Sequence, residues 1–440
     1  MSEILFITGI VIFVFFILVC VTSIFEKELR SSIVSGVFSI LLPIPYILPE
    51  VTIINYPGIV EYVLLSVFAI PVILYILPVN ISISYSLHYP VRRYDERDTM
   101  FSRRDLQPGS DRFNQYYEDK PDKKALDDTF RAKPGLLKAG SKYYDPILFI
   151  AAQSIFDRVD TLHPRVEGKV AEKTSKVDPE EMTRFILGKI IEWGGHSAGI
   201  TELFDYHVYS YGGRGDRYGV EFEKEHKYAI AFTLEMDYDM MRAAPYAPTL
   251  VESANQYLRA GLIAIQIAEF IRDLGYPARA HIDGNYKVIC PLVARDAGLG
   301  EIGRMGLLMT PKVGPRVRIA VVTTDMPLIV SKYKHDPTVI DFCRKCEKCA
   351  DICPSKSIPF GVERNIDGVP RWQIHSESCF TYWCIAGTDC GRCVIVCPYS
   401  HPDNWFHRFI RFGVRNSFIF RRLAIRLDDL FYGKKPKPRK

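Results

Sequence analysis

Nine of the chain's eleven cysteines fall between Cys343 and Cys397. The first four run Cys343-x2-Cys346-x2-Cys349-x3-Cys353-Pro354. A second set runs Cys390-x2-Cys393-x3-Cys397-Pro398, preceded by Cys379 and Cys384. In this spacing three thiolates wrap one iron–sulfur cube, while the fourth, ahead of a proline, reaches a second cube. The pseudo-symmetric assignment places Cys343, Cys346, Cys349 and Cys397 on one [4Fe–4S] cluster. It places Cys353, Cys390, Cys393 and either Cys379 or Cys384 on the other, with Cys379 preferred. Paired Cys-x2-Cys units also hold zinc, but zinc leaves the third closely spaced cysteine and both Cys-Pro ends without a purpose. Disulfides fit a reducing compartment poorly. Cys20 and Cys290 stand apart and read as packed residues.

Clusters alone move single electrons, so the residues upstream decide what is reduced. From Ala294 to Leu328 the chain reads ARDAGLGEIGRMGLLMTPKVGPRVRIAVVTTDMPL. Gly298, Gly300, Gly303 and Gly306 allow close backbone approach to a large flat or phosphorylated ligand; a set of tight turns is the plainer reading. No strand feeds a G-x-G-x-x-G turn, so a dinucleotide fingerprint is absent. Among the histidines, His196, His207 and His281 form no H-E-x-x-H or compact acidic group, and structural roles suit them equally. Of twenty-five tyrosines, none is singled out by spacing.

The succession FIRDLGYPA after Tyr257, AGLGEIGRMGLLMTPKVGPRVR, TTDMPL, FCRKCEKCADICP, CFTYW and CGRCVIVCP resembles the corrinoid-dependent reductive dehalogenases over about residues 145–400. The glycine-rich segment and cysteine pattern are also similar to the related epoxyqueuosine reductases. The resemblance implies an α/β nitroreductase-like domain burying a base-off cobamide, joined to a bacterial two-cluster ferredoxin-like domain. No D-x-H-x-x-G stretch offers a histidine to the cobalt, in keeping with a base-off form. The resemblance further implies a tyrosine proton donor, matched by Tyr257, with Arg316 or Arg304 as its basic supporter; Tyr246 in the AAPYAP loop competes. The implied reaction is reductive dehalogenation of a small organohalide, with reduction of an epoxide or other non-halogenated substrate as the alternative. A non-catalytic membrane electron carrier is the reading that needs no corrinoid. A quinol or a redox protein would be the electron donor.

These parts need positioning. The 440-residue chain is 48% hydrophobic, and that content is concentrated near the N-terminus. Ile4–Ile24 and Tyr62–Ile83 carry no charge, and Ser31–Pro49, with three prolines, carries none either. Each can span about 30 Å of hydrocarbon as a helix of ~20 residues. Three spans are preferred to two with a re-entrant loop. The first run lacks the basic flank of a signal peptide, and there is no twin-arginine leader, which departs from exported relatives. Arg92, Arg93, Arg97, Arg103 and Arg104 follow the last span, so the positive-inside tendency orients the C-terminal part to the cytoplasm.

Residues 401–440 hold eleven Arg or Lys against three Asp, which leaves the rest of this +5 chain acidic. That tail interleaves arginines with aromatics, as a lipid-surface helix does; the bilayer is preferred to nucleic acid as its partner. The expected organisation is a membrane anchor over 1–84, a linker or wrapping arm over 85–145 and a cobamide-binding catalytic domain over 146–335. The two-cluster domain spans 336–400 and the basic tail 401–440. Helices are expected over Pro179–Trp193 and Leu250–Leu274, and strands over Lys287–Ile289 and Arg318–Val322.

Overall fold

The computed structural model describes residues 2–52, 56–77, 88–333 and 335–439. One compact unit holds Met1–Tyr85 with Pro402–Pro436, and another holds Ser86–His401 with Lys437–Lys440.

The first unit begins with α1 (Ser2–Phe25), α2 (Leu29–Leu41), α3 (Ile44–Val51) and α4 (Gly58–Ile76). Three segments, Ser2–Phe25, Leu29–Val51 and Gly58–Ile76, are long and apolar enough to cross a membrane. The break between α2 and α3 falls at Pro43, whose ring removes a backbone donor. Small residues let these helices meet: the Ser23 and Ser31 hydroxyls lie 2.8 Å apart, and a Cβ on Gly9 would stand 2.6 Å from Ile47. Ile7, Val11, Leu18, Ile59 and Val67 remain exposed, a surface compatible with membrane anchoring. The end of the third uncharged run, residues 78–83, lies outside the described residues.

In the second unit, residues 88–145 fold further than a linker would. They form α5 (Met100–Asp105), α6 (Asp111–Asp119) and α7 (Pro121–Arg131), the first two capped by the Thr99 and Ser110 hydroxyls. Next come α8 (Pro146–Asp160), α9 (Pro179–Glu192), β1 (Ser197–Glu202), β2 (Tyr228–Glu235), α10 (Tyr238–Arg242) and α11 (Ala247–Asp273). The chain continues through β3 (Ala278–His281), α12 (Cys290–Asp296), β4 (Glu301–Ile302), β5 (Leu308–Met309) and β6 (Val317–Thr324). Asp178 caps α9 by accepting from the Glu181 N–H, with Pro179 opening the first turn. Both expected helices form, and α11 stops before Gly275 at φ +86°, where a Cβ would strike Thr174 at 2.5 Å.

The sheet order is β1-β2-β6-β3, with every pairing antiparallel. Period-two alternation sorts β2 between two cores. Ile230, Phe232 and Leu234 meet Ile263, Ile267 and Ile271 of α11 on one face, while Ala229 and Ala231 meet Val293 and Ala294 of α12 on the other. Fully burying each such Ile or Leu side chain is worth about 1.5–3 kcal/mol. The strand expected at Arg318–Val322 is β6. The one expected at Lys287–Ile289 is instead a single bridge, Val208 to Val288, because the turn at Gly284 leads straight into α12.

The cysteine region holds α13 (Pro337–Cys346), α14 (Lys348–Ile352), β7 (Arg364–Ile366), β8 (Val369–Arg371), α15 (Ser376–Ala386) and α16 (Arg392–Ile395). The basic tail forms α17 (Trp405–Asn416) and α18 (Phe418–Tyr432), belonging to the first unit. Asn404 and Ser417 cap them. Phe406 and Phe431 pack with Val19 of α1, and Tyr75 stacks on Phe409 at 4.4 Å.

Candidate functional site

Tyr257 lies on α11, the long helix against the sheet, and β6 brings Arg318 to it. The Arg318 guanidinium sits 4.8 Å from the Tyr257 ring centroid. Arg318 Nη2 donates to Ser253 Oγ at 2.5 Å and to Asp389 Oδ2 at 2.8 Å. Ser253 donates to the same carboxylate oxygen at 2.5 Å. Ser253 and Tyr257 are four residues apart, hence on one helix face. Asp283 and Tyr286, from the turn after β3, complete the surroundings: both exert electrostatic influence on Arg318.

These groups sit deep in the protein, yet Tyr257, Asp283, Tyr286 and Arg318 each keep some accessible surface. Burial pushes the Tyr257 phenol up to about 12 against the opposing Arg318 charge. Burial likewise raises the Asp283 carboxyl, with Arg214 and Arg318 opposing. The Asp389 carboxyl is raised by burial and restrained by Arg318, and among the described residues its Oδ1 has no hydrogen-bond partner.

The two basic residues expected beside Tyr257 are elsewhere. Arg304 donates to the Cys343 carbonyl at 2.7 Å and the Pro359 carbonyl at 2.8 Å, and stacks on Trp372 at 4.7 Å. It clamps the cysteine-bearing loops. Arg316 donates to the Ser400 carbonyl at 2.9 Å, to the Met236 carbonyl, and pairs with Glu235 at 2.8 Å. Arg316 precedes β6, whereas Arg318, two positions on and inside the strand, is the cation over the Tyr257 ring. Tyr246 caps the start of α11 and packs edge-on to Tyr143 at 5.0 Å.

His281 is buried with every ring nitrogen engaged: Nδ1 accepts from Arg279 and from the Lys287 N–H, and Nε2 meets Thr323 at 3.0 Å. His207 Nε2 meets Asp296 at 2.8 Å, and His196 pairs with Glu235 at 3.3 Å. All three are structural.

The glycine-rich segment is the hairpin of β4 and β5. At Gly300 a Cβ would stand 2.2 Å from the Met309 carbonyl, and at Gly303 it would meet the Met309 side chain at 2.7 Å and Cys343 Sγ at 3.6 Å. Around Gly306, at φ +74°, there is open space, and Gly298 has φ +83°. Leu307 of the same hairpin packs with Met236, Met241 and Cys393.

The cysteines lie close enough to influence one another. Burial raises the Cys397 thiol well above its usual value, with Cys343, Cys346 and Cys349 adding. Burial does the same to Cys393, with Cys390, Cys349, Cys379 and Cys353 adding, so Cys349 and Cys393 link the two sets. Cys379 is pushed up to about 11 by burial and by Cys353, whereas Cys384 packs with Met100, Phe130 and Phe380. Among the described residues no three His, Cys, Asp or Glu side chains gather as a single metal ion requires. Thiols this buried ionise only around cations, so the donors fit iron cubes, each larger than one ion. The Cys390–Gly391 turn, with φ 61° and 67°, lies against α11: a Cβ on Gly391 would meet Thr249 at 2.8 Å. Asp389 thus joins the cysteine turn to Arg318, a connection that no spacing in the sequence announces.

A domain family described as a 4Fe-4S dicluster domain matches residues 342–401. The tetrachloroethene reductive dehalogenase of Sulfurospirillum multivorans is 35% identical over 214 residues, 47% of this chain and 42% of that protein. One from Desulfitobacterium hafniense is 37% identical over 216 residues, 47% of this chain and 38% of that protein. An epoxyqueuosine reductase of Francisella cf. novicida is 30% identical over 154 residues, 31% of this chain and 39% of that protein. The chain thus spans less than half the length of the curated relatives it matches. Among solved structures, the catabolic reductive dehalogenase NpRdhA in complex with 3-bromo-4-hydroxybenzoic acid superimposes with a TM-score of 0.64 at 24% identity, covering 80% of this chain and 48% of that one. The chain is thus similar in sequence to reductive dehalogenases over less than half of their length, shares the fold of a solved one and carries an iron–sulfur dicluster domain.

Proposed function

We propose that this protein is a membrane-tethered reductase that removes halogen from a small organohalide, using a corrinoid and two [4Fe–4S] clusters. The observation that carries the proposal is Tyr257 beneath Arg318, a cation held by Asp389, the residue next to Cys390. Cys343, Cys346, Cys349 and Cys397 would hold one cluster, and Cys353, Cys379, Cys390 and Cys393 the other. A base-off cobamide would be held by the glycine-rich segment of Gly298, Gly300, Gly303 and Gly306 in a nitroreductase-like setting, with open space at Gly306 while Gly300 and Gly303 let the hairpin close on Met309. When bound it supplies low-valent cobalt able to break a carbon–halogen bond.

The balance of the reaction is one organohalide, two electrons and one proton giving the hydrocarbon and halide. The chain's part is the proton. Burial keeps the Tyr257 phenol protonated at neutral pH, so it enters turnover as an acid. Once the proton has left for the substrate carbon, Arg318 over the ring offsets the phenolate charge until the proton is regained. Ser253 and Asp389 hold that cation in place. The similarity to an epoxyqueuosine reductase supports a second reading, the same machinery acting on a non-halogenated substrate. Anaerobic purification and metal analysis test the proposal: about eight iron atoms and one cobalt per chain are expected after reconstitution with cobamide. Full iron without cobalt would leave an electron carrier. We also place the catalytic unit at the cytoplasmic face of the inner membrane, on the charge pattern after the last span.

A further inference from the structure

After α7, residues 133–143 run alongside α15. The Gly135 N–H donates to the Cys384 carbonyl at 3.0 Å, the Leu137 N–H to Gly387 at 3.0 Å and the Lys142 N–H to Ile385 at 2.8 Å. A hollow opens beside this seam, floored by Phe130, Leu136 and Cys384. Its rim carries Arg104, Arg131, Lys133 and Lys138, and none of the described lining residues is acidic. Lys133 and Lys138 are exposed. Cys384 shares α15 with Cys379; five residues at ~1.5 Å rise put the floor about 8 Å along the helix from that thiol.

We infer that this hollow is the docking site for a small acidic one-electron carrier protein, with flavin or iron–sulfur as its redox group. The inference rests on the proposed assignment of Cys379 to a cluster. Arg104 and Arg131 are paired with Asp105 and Asp128, so the exposed Lys133 and Lys138 supply the field beside the apolar floor, which suits brief electron-transfer encounters and steers a partner of opposite charge. At each encounter the carrier loses one electron and the cluster of Cys353, Cys379, Cys390 and Cys393 gains it; two encounters supply one turnover.

The test follows cluster bleaching by stopped flow in the full-length, detergent-solubilised protein, with reduced flavodoxin as the acidic carrier and reduced methyl viologen as a small cationic reductant. For Lys133→Glu with Lys138→Glu, the flavodoxin rate should fall about tenfold at low salt and lose most of its salt dependence. Reduction by viologen should be unchanged. The milder pair Lys133→Gln with Lys138→Gln should give an intermediate loss, and serves if the first variant folds poorly. Equal flavodoxin rates for wild type and variants at low salt would overturn the docking site. Normal bleaching without substrate turnover would instead count against the proposed reaction, leaving the docking result intact.

Discussion

At Tyr257 two influences on one hydroxyl compete, and their order decides its chemistry. A neighbouring cation alone would favour phenolate, but burial outweighs Arg318 and pushes the group up to about 12. In the proposed reaction the residue is a stored proton, with the cation ready for the charge that appears after transfer. Tyr257→Phe keeps the ring under Arg318 and removes only the proton. It should lower turnover by about 10²–10⁴ with iron and cobalt contents unchanged; steady-state assay beside metal analysis checks this, and wild-type turnover would reject the donor role. Tyr257 itself was reachable from the sequence through the motifs that surround it. Arg318 was not, because Arg304, Arg316 and Arg318 share one segment and only strand register tells them apart.

Among the elements, α15 resolves an ambiguity that cysteine spacing leaves open. Cys379 and Cys384 are five residues apart on one helix, about 140° around its axis, so they cannot both face a cluster. Cys379 is raised by burial and by Cys353, while Cys384 joins Met100 and Phe130. Cys384→Ala should keep the full iron content, whereas Cys379→Ala should lose up to about four of eight iron atoms, measured by iron assay and low-temperature EPR. A reversed result would move the ligand to Cys384. The arm before α8 shows the opposite limit: its polar, proline-punctuated composition hid α6 and α7, whose Phe113 and Tyr117 pack with Leu106 and Tyr116 of the same arm and whose Phe130 packs with Phe380.

For the molecule as a whole, pH acts through histidines that the second unit buries. Burial, then the Arg279 charge, holds His281 well below 6.5; burial likewise lowers His226 and His207. Unfolding frees each to bind a proton near its ordinary value, so the unfolded chain takes up more protons as pH falls. Stability is present above about 6.5 and declines from there toward the depressed folded values. Glu96 and Asp127, raised by burial, act in the opposite sense, but from lower ordinary values. The melting temperature of the second unit should fall between pH 7.5 and 5.5 in a thermal melt; a flat profile would contradict this. A C-terminal topology reporter should signal cytoplasm, and an extracytoplasmic signal would reverse the orientation inferred from charge.

What the sequence by itself determined is whatever lies in short-range spacing or composition. The cysteine runs specify a dicluster domain because its ligands are local in the chain, and uncharged runs specify helices of membrane-spanning length because apolar length is additive. The tertiary structure alone decided the partners that chain folding brings together. Arg318 reaches Tyr257 because β6 lies against α11, Asp389 joins them because the turn before Cys390 abuts the same helix, and Cys384 packs into an apolar core while Cys379, elsewhere on α15, feels Cys353. Those choices are set by packing between segments distant in sequence, which no local pattern records.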